Sequence, residues 1–291
     1  MSASRKKITE LWIRKWFSDV RKQLGDNFDV LCDPDRIFNM DEMSFYLAPQ
    51  GDLVLAEKGK PVYDVSAVSD KENIMVSMGV SALGNQVPSF IVYKYVRLPA
   101  SAKRSAPYGW AVGSTESGWM TARAFFEYFT NTFIPWLKCR NIKLPVAVFF
   151  DGHKSHISLP LSEICLMHEV ILVYLIAQAT HILQPLDISF IKALKSFWKT
   201  EVHIYRLEHK GRSPCKEDIP KLIQKILDKL NFSSTSQNGF RKCGIFPFDP
   251  DAVNYSKCTK DVSVEEKDEL STSTPLPVSS FMQLKVKLTR I

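Results

Sequence analysis

The chain has 291 residues, which is enough for one large domain or two small ones. Hydrophobic residues make up 45% of the sequence and charged residues 24%, a balance that excludes wholesale disorder. No apolar run is long enough for a membrane-spanning helix, and the charged N-terminus lacks the apolar segment of a secretory signal. The formal net charge is +7, which permits a polyanionic partner without establishing one.

Cysteine usage points to a reducing compartment. The cysteines are widely scattered and never form a CxxC pair, so the sequence predicts neither a zinc site nor a dense disulfide framework. We therefore expect an intracellular protein. The residues concerned are Cys32, Cys139, Cys165, Cys215, Cys243 and Cys258.

The chain begins with a basic segment and continues into short strands. Apolar residues at helical spacing, interleaved with lysine and arginine, predict a basic amphipathic helix over Ile8 to Leu24. Arg36 to Met40 is short and apolar, and it predicts a strand that ends at Asp41. Asn73 to Leu83 and Val87 to Tyr95 are rich in strand-forming residues, and the turn between them predicts a hairpin.

Loop, helix and buried strand then alternate. Residues 99–118 are rich in Ser, Gly and Pro, which predicts a long loop. Thr121 is a favourable N-cap for a helix over Ala122 to Lys138. The apolar run from Pro145 to Phe150 predicts a strand buried on both faces. A helix over His156 to His168 and a strand over Val170 to Leu175 complete a βαβ unit, so we expect a parallel pair within a mixed sheet.

The remainder of the chain is predicted to be helical and then disordered. Pro185 opens a long helix to about Leu207, and Lys216 to Arg241 form a further helical part. The stretch from Ser263 to Ser280 is acidic, rich in Ser, Thr and Pro, and weakly apolar, which indicates disorder. We therefore expect an N-terminal helix and linker, an α/β core, a helical extension and a disordered tail. These parts cover residues 1–30, 31–207, 208–255 and 256–291.

Three aspartates lie where functional groups collect in open α/β sheets, at or just beyond the carboxyl ends of strands. Asp41 ends the first predicted strand and Asp151 ends the fourth, whereas Asp187 lies in the first turn of the helix that follows the fifth. Asp187 shares the apolar stripe that should pack on the sheet, so its side chain should point toward the other two. The other members of that stripe are Ile191, Leu194 and Trp198.

Carboxylates that share a cleft raise each other's pKa, and a divalent cation resolves the conflict. Oxygen ligands of this type suit Mg²⁺ or Mn²⁺, and two ions about 3.5–4 Å apart can drive phosphodiester chemistry. The alternative is structural. Aspartates at strand ends form turns, and Asp187 in a first helical turn is favourable to the helix dipole without any metal. Spacing alone leaves both interpretations open.

The sequences around these aspartates resemble the DDE catalytic domain of pogo-type transposases, the group that includes Tigger and jerky-like proteins and centromere protein B. The first, second and third aspartate motifs are similar to RIFNMDEMSF, VAVFFDGHKSH and THILQPLDISFIKALKSFWKTEV. The intervening and final blocks resemble ENIMVSMGVSALGNQVPSFIVYK, SGWMT with FFEYFTNTFIPWL, and GFRKCGIFPFDPDAV. The resemblance runs from about Asp33 to Tyr255, with the order and spacing of the blocks kept.

The resemblance implies an RNase H-like fold in which Asp41, Asp151 and Asp187 bind two Mg²⁺ or Mn²⁺ ions and carry catalysis. It implies DNA as the partner and the nucleus as the location, and we also expect a homodimer and no membrane association. The chain departs from the family where YLIAQATHILQPLD precedes the third motif. Helix-turn-helix modules precede the catalytic part in this family, whereas about 40 residues precede Asp41 here.

Two function classes therefore stay open. The first is a transposase-derived, metal-dependent DNA endonuclease or strand-transfer domain, which the three aspartates favour. The second is a co-opted nuclear protein that binds DNA or chromatin without cutting it. The short segment before Asp41 favours this class, because a nuclease without target-recognition modules has no specific substrate.

A row of basic residues on the long helix is a further candidate site. It lies beside the stripe that carries Asp187 and could follow a DNA backbone, although a solvated helix face is the alternative. The row consists of Lys192, Lys195, Lys199 and Arg206. His153, His156 and His181 lie near the second and third motifs, either as phosphate or water contacts or as capping and packing residues.

Overall fold

The structure is a computed structural model that describes residues 8–47, 73–152, 158–177 and 179–258. These residues form a mixed six-stranded sheet with the strand order β4-β3-β2-β1-β5-β6. Strand β1 is antiparallel to β2 and parallel to β5, β2 is antiparallel to β3, and the outer pairs β3–β4 and β5–β6 are parallel. The strands are β1 (Ile37–Tyr46), β2 (Asn73–Ser81), β3 (Gln86–Lys94), β4 (Ala111–Thr115), β5 (Val146–Phe150) and β6 (Val170–Tyr174).

Helices cover both faces of the sheet. The first group consists of α1 (Glu10–Leu24), α2 (Ala100–Ser105), α3 (Ala122–Tyr128), α4 (Ile134–Cys139) and α5 (Leu159–Met167). A π-helical turn over Phe129–Phe133 joins α3 to α4. The second group consists of α6 (Thr180–Leu183), α7 (Pro185–Ser189), α8 (Ile191–Glu208), α9 (Ile219–Lys229) and α10 (Phe232–Lys242).

Strand alternation divides the interior into two hydrophobic layers. Ile37, Met43 and Phe45 of β1 face the layer that holds α1 and α8 to α10. Phe38 and Met40, on the opposite face of the same strand, join the layer of α3 to α5. The sheet is therefore covered on both sides, and the mixed α/β sheet predicted from the sequence is confirmed, as are the hairpin and the βαβ unit.

Strand β1 is longer than the sequence prediction, so Asp41 does not end it. Residues beyond Met40 stay extended because β1 pairs with β2 as far as Tyr46↔Asn73. Met43 and Phe45 are buried on one face of this extension. Asp41 therefore lies within the strand, two residues past Asn39, the last β1 residue paired with β5.

Two further predictions of local structure were wrong. The predicted loop 99–118 contains α2 and β4. Strand β4 can pair with β3 because residue 113 is glycine. A Cβ at this position would lie 2.9 Å from the Phe90 ring. The predicted helix from Pro185 to Leu207 is broken between α7 and α8. The break buries Phe190 edge-to-face against Phe232 of α10, with ring centroids 4.8 Å apart.

The N-terminal helix is confirmed, and it packs on the same core as the sheet. Trp16 Nε1 donates to the carbonyl oxygen of Tyr174 at 2.9 Å, and Gln23 Nε2 donates to that of Leu172 at 3.1 Å. These bonds cover the outer edge of β6. The segment after α10 closes over the helix, since Arg14 pairs with Asp251 at 2.8 Å. Residues 259–291 of the predicted tail lie outside the described residues, and the predicted domain boundaries stay a prediction.

Candidate metal centre

Parallel pairing of β1 and β5 places Asp41 and Asp151 side by side. Asn39 of β1 is paired with Phe149 of β5. Asp41 comes two residues after Asn39, and Asp151 comes two residues after Phe149. Because side chains alternate along a strand, Asp41 lies on the face of Asn39, toward α7 and α8. Asp151 directly follows the end of β5 and is close enough to Asp41 to raise its pKa. Oδ1 of Asp151 is shielded from solvent.

Asp187 reaches the same place from the helical layer. It lies in the first turn of α7, a short helix that starts with Pro185 and packs on β1. Asp187 is partly buried, like Asp41. The predicted stripe is also found, since Ile191, Leu194 and Trp198 of α8 are all buried.

The electrostatics show that the three carboxylates interact. Burial raises the pKa of Asp41 to about 8, with further increases from Asp187 and Asp151, although hydrogen bonds from Glu42 N–H and Gln184 oppose this shift. Burial also raises the pKa of Asp187, and Asp151 adds to this, whereas Lys195 and His181 act in the opposite direction. The site therefore brings together carboxyl groups whose ionised forms disfavour each other.

The donor chemistry fits a hard divalent cation. Three carboxylates that disfavour each other's ionised form are stabilised when a cation lies among them, and oxygen ligands are those that Mg²⁺ and Mn²⁺ prefer. The ligand set is not closed, however. In the part of the chain that the structure describes, no three His, Cys, Asp or Glu side chains are grouped closely enough to hold an ion.

Two buried carboxamides that we did not single out from the sequence lie directly behind the aspartates. Asn39 and Gln184 have no exposed surface, and Asn39 Nδ2 donates to Gln184 Oε1 at 2.9 Å. Asn39 comes two residues before Asp41, and Gln184 three residues before Asp187. A polar residue between apolar neighbours in each motif was the signal that sequence reasoning overlooked.

A glycine of α10 holds α7 in place. A Cβ at Gly239 would lie 2.5 Å from both the carbonyl oxygen of Pro185 and Oγ of Ser189. Real Cβ atoms do not approach backbone oxygen so closely, so α10 can contact α7 only with glycine at this position. The position of Asp187 thus depends on a residue more than 50 positions further along the chain.

Only part of the predicted basic row is exposed to solvent. Lys192, Lys195 and Lys199 are exposed on α8, and Lys195 is close enough to Asp187 to lower its pKa. Arg206 is half-buried, and its Nε donates to Oγ of Ser213 at 3.1 Å. Of the predicted histidines, His181 lies near Asp187, whereas His153 and His156 fall outside the described residues.

The mixed sheet and the helices on both of its faces define an RNase H-like domain. The family of DDE superfamily endonucleases matches residues 71–239, more than half of the chain. This chain belongs to that family.

Solved structures support the same fold. The mariner Mos1 paired-end complex with Mg is similar to this chain with a TM-score of 0.56 and 12% identity, covering 89% of this chain and 64% of that one. The Mos1 transposase paired-end complex with left transposon end has a TM-score of 0.53 and 11% identity, covering 86% of this chain and 63% of that one. At these identities the likeness establishes the RNase H-like fold alone.

A curated relative carries a different description. The MFS-type transporter clz9 of Cochliobolus lunatus is 26% identical over 246 residues, which cover 83% of this chain and 26% of that protein. The chain thus spans about a quarter of this relative and less than two thirds of the Mos1 chains. No helix in the described ranges has the length and apolarity needed to span a bilayer.

Proposed function

We propose that this chain is a transposase-derived, metal-dependent DNA endonuclease or strand-transfer domain of the pogo type that acts in the nucleus. The observation that carries this proposal is that α7, which packs on β1, brings Asp187 to the part of the sheet that holds Asp41 and the end of β5 next to Asp151. Membership of the DDE endonuclease family and the fold shared with transposase–DNA complexes support it.

The proposed site would assemble from this chain's own groups in a defined way. Asp41, Asp151 and Asp187 would supply carboxylate oxygens to Mg²⁺ or Mn²⁺, and Asp41 would release its proton as the site is loaded. The bound ions would activate a water or a 3′-hydroxyl and stabilise the leaving oxygen of a phosphodiester. Lys195 would favour the ionised form of Asp187 throughout.

DNA would reach this site along the exposed face of α8. Lys192, Lys195 and Lys199 extend from the carboxylates along one side of the helix, where they can contact successive phosphates. Such contacts bind DNA without reading its sequence, so we expect weak and non-specific association. A homodimer would supply a second copy of this surface.

A second function has an observation of its own. Because the pKa of Asp41 is about 8, the apo site holds a proton at neutral pH, and among the described residues no ready ligand group exists. These properties would suit a co-opted protein that binds DNA or chromatin without cutting it. In that case affinity for DNA would be the same in EDTA and in Mn²⁺.

Nicking of a supercoiled plasmid tests the two functions. Wild-type protein with Mn²⁺ should nick slowly and without sequence preference, and Asp187→Asn should abolish the nicking. Glu42→Gln is the matched control, because Glu42 follows Asp41 on the same strand and therefore lies on the opposite face. Nicking that survives Asp187→Asn would refute the proposed site. DNA binding with no cleavage under any divalent metal would establish the second function instead.

A further inference from the structure

Asn39 and Gln184 form a buried carboxamide pair that touches the main chain beside each of the three aspartates. We propose that this pair, here called the carboxamide clamp, is a positioning device that sets the spacing of Asp41, Asp151 and Asp187. The proposal rests on the proposed metal site and assigns it two residues that bind no metal themselves.

Asn39 connects three segments of the chain. Its Nδ2 group donates to the carbonyl oxygen of Phe149 at 2.9 Å and to Gln184 Oε1 at 2.9 Å. Its Oδ1 accepts from the backbone N–H of Leu186 at 3.1 Å. One side chain of β1 therefore holds both the end of β5 and the first turn of α7.

Gln184 closes the connection. Its Nε2 group donates to the carbonyl oxygen of Met40 at 3.0 Å. Donor and acceptor atoms of both carboxamides thus all have partners. A satisfied buried network of this kind is rigid, because no member can turn without leaving a buried polar group unpaired.

The backbone atoms that the clamp holds are those that locate the aspartates. The Met40 carbonyl immediately precedes Asp41, and the Leu186 N–H immediately precedes Asp187. The Phe149 carbonyl lies two residues before Asp151. The three aspartates come from separate elements, and the clamp joins the backbone of all three through direct hydrogen bonds.

A merely structural role is the competing explanation, and the chain offers a matched control for it. Arg36 is also buried, at the other end of the same pair of strands. Its Nε donates to the carbonyl oxygen of Pro145 at 2.9 Å, and its NH1 group pairs with Asp29 at 2.8 Å. Arg36 therefore joins the chain just before β1 to the chain just before β5, whereas the clamp joins the two strands beside the carboxylates.

The experiment is to measure Mn²⁺ affinity by isothermal titration calorimetry on folded apo protein, alongside urea unfolding. Asn39→Ala and Gln184→Met should each weaken Mn²⁺ binding by about 10-fold to 100-fold, the usual effect of removing groups that orient metal ligands. Arg36→Ala should destabilise the fold and leave Mn²⁺ affinity within about 2-fold of wild type, since it lies outside that orienting layer. Gln184→Met keeps the side-chain volume, so it provides a folded variant if Asn39→Ala does not fold.

Other readouts separate the outcomes. Amide exchange at Leu186 should accelerate in both clamp variants, because its hydrogen bond depends on Asn39. The double variant should bind Mn²⁺ about as weakly as either single variant, since either change breaks one shared network. If clamp and Arg36 variants bind Mn²⁺ as tightly as wild type, the positioning role is refuted while the metal site stands. If wild type binds no Mn²⁺, both proposals fall.

Discussion

Without metal, the Asp41→Asn variant should be more stable than wild type, and this difference in unfolding free energy should increase as the pH rises. Burial and the neighbouring carboxylates raise the pKa of Asp41 from 3.8 to about 8. Between these values the folded state holds a proton that the unfolded state has released, so wild-type stability falls with increasing pH. Asparagine stays neutral and keeps an oxygen that can accept the Glu42 N–H bond, which is 2.8 Å long in the wild type.

The size of this effect follows from linkage. For each pH unit in this window, the unfolding free energy of wild type falls by about 1.4 kcal/mol relative to that of Asp41→Asn. From pH 5 to pH 7 the difference in unfolding free energy between the two proteins should therefore change by about 3 kcal/mol. Urea unfolding in EDTA at pH 5, 6 and 7 measures it, and the difference between the proteins cancels the contribution of other groups.

Glu201→Gln is the control for this measurement. Burial alone would raise the pKa of Glu201, but hydrogen bonds from Lys225 and Lys229 outweigh that effect and lower it. This carboxylate is thus ionised in both states above its unfolded pKa, and its stabilisation disappears only as the pH falls through the lower folded value. The Glu201→Gln difference should therefore be flat between pH 5 and pH 7. Parallel curves for wild type and Asp41→Asn would refute the reasoning.

The remaining predictions concern packing and charge. Gly239→Ala should lower the unfolding free energy by about 1–3 kcal/mol and weaken Mn²⁺ binding, because its Cβ meets the Pro185 carbonyl, whereas exposed Asn238→Ala should change stability by less than about 0.5 kcal/mol. Trp16→Phe should cost about 1 kcal/mol in urea unfolding because it removes the hydrogen bond to Tyr174, and an unchanged value would mean that water replaces it. Alanine at three exposed lysines should flatten the slope of log DNA affinity against log salt concentration, measured by fluorescence anisotropy. The slope should change by up to about 0.9 for each phosphate that is no longer neutralised, and an unchanged slope would mean that these lysines do not contact DNA. These lysines are Lys192, Lys195 and Lys199.

Local patterns predicted the elements whose hydrophobic periodicity matches their burial. The continuous apolar run that forms β5 and the amphipathic pattern of α1 were sufficient, because each element buries the face that its sequence displays. The break at Phe190 was not predictable in this way. The helical pattern continues across it, and only the Phe232 ring, from a distant helix, favours the interruption.

The candidate site shows the same division. The three aspartates were identified from strand ends and from the family resemblance, although Asp41 lies within its strand. Asn39 and Gln184 were not identified, because a carboxamide is informative only when its partners are known, and these partners lie 110 and 145 residues from Asn39 along the chain. Gly239 likewise reveals its role only through the Pro185 carbonyl.

The docking of α1 on β6 has a consequence for synthesis. Trp16 and its partner Tyr174 are 158 residues apart, and α1 precedes everything that it packs against. At about 5–20 residues per second, a ribosome needs on the order of 8–30 s to produce that partner. During this interval part of the apolar face of α1 lacks its partner surface, which makes it a natural target for chaperones that bind nascent chains. The packing of α1 on β6 is therefore completed only after a segment more than 150 residues further along the chain has been made.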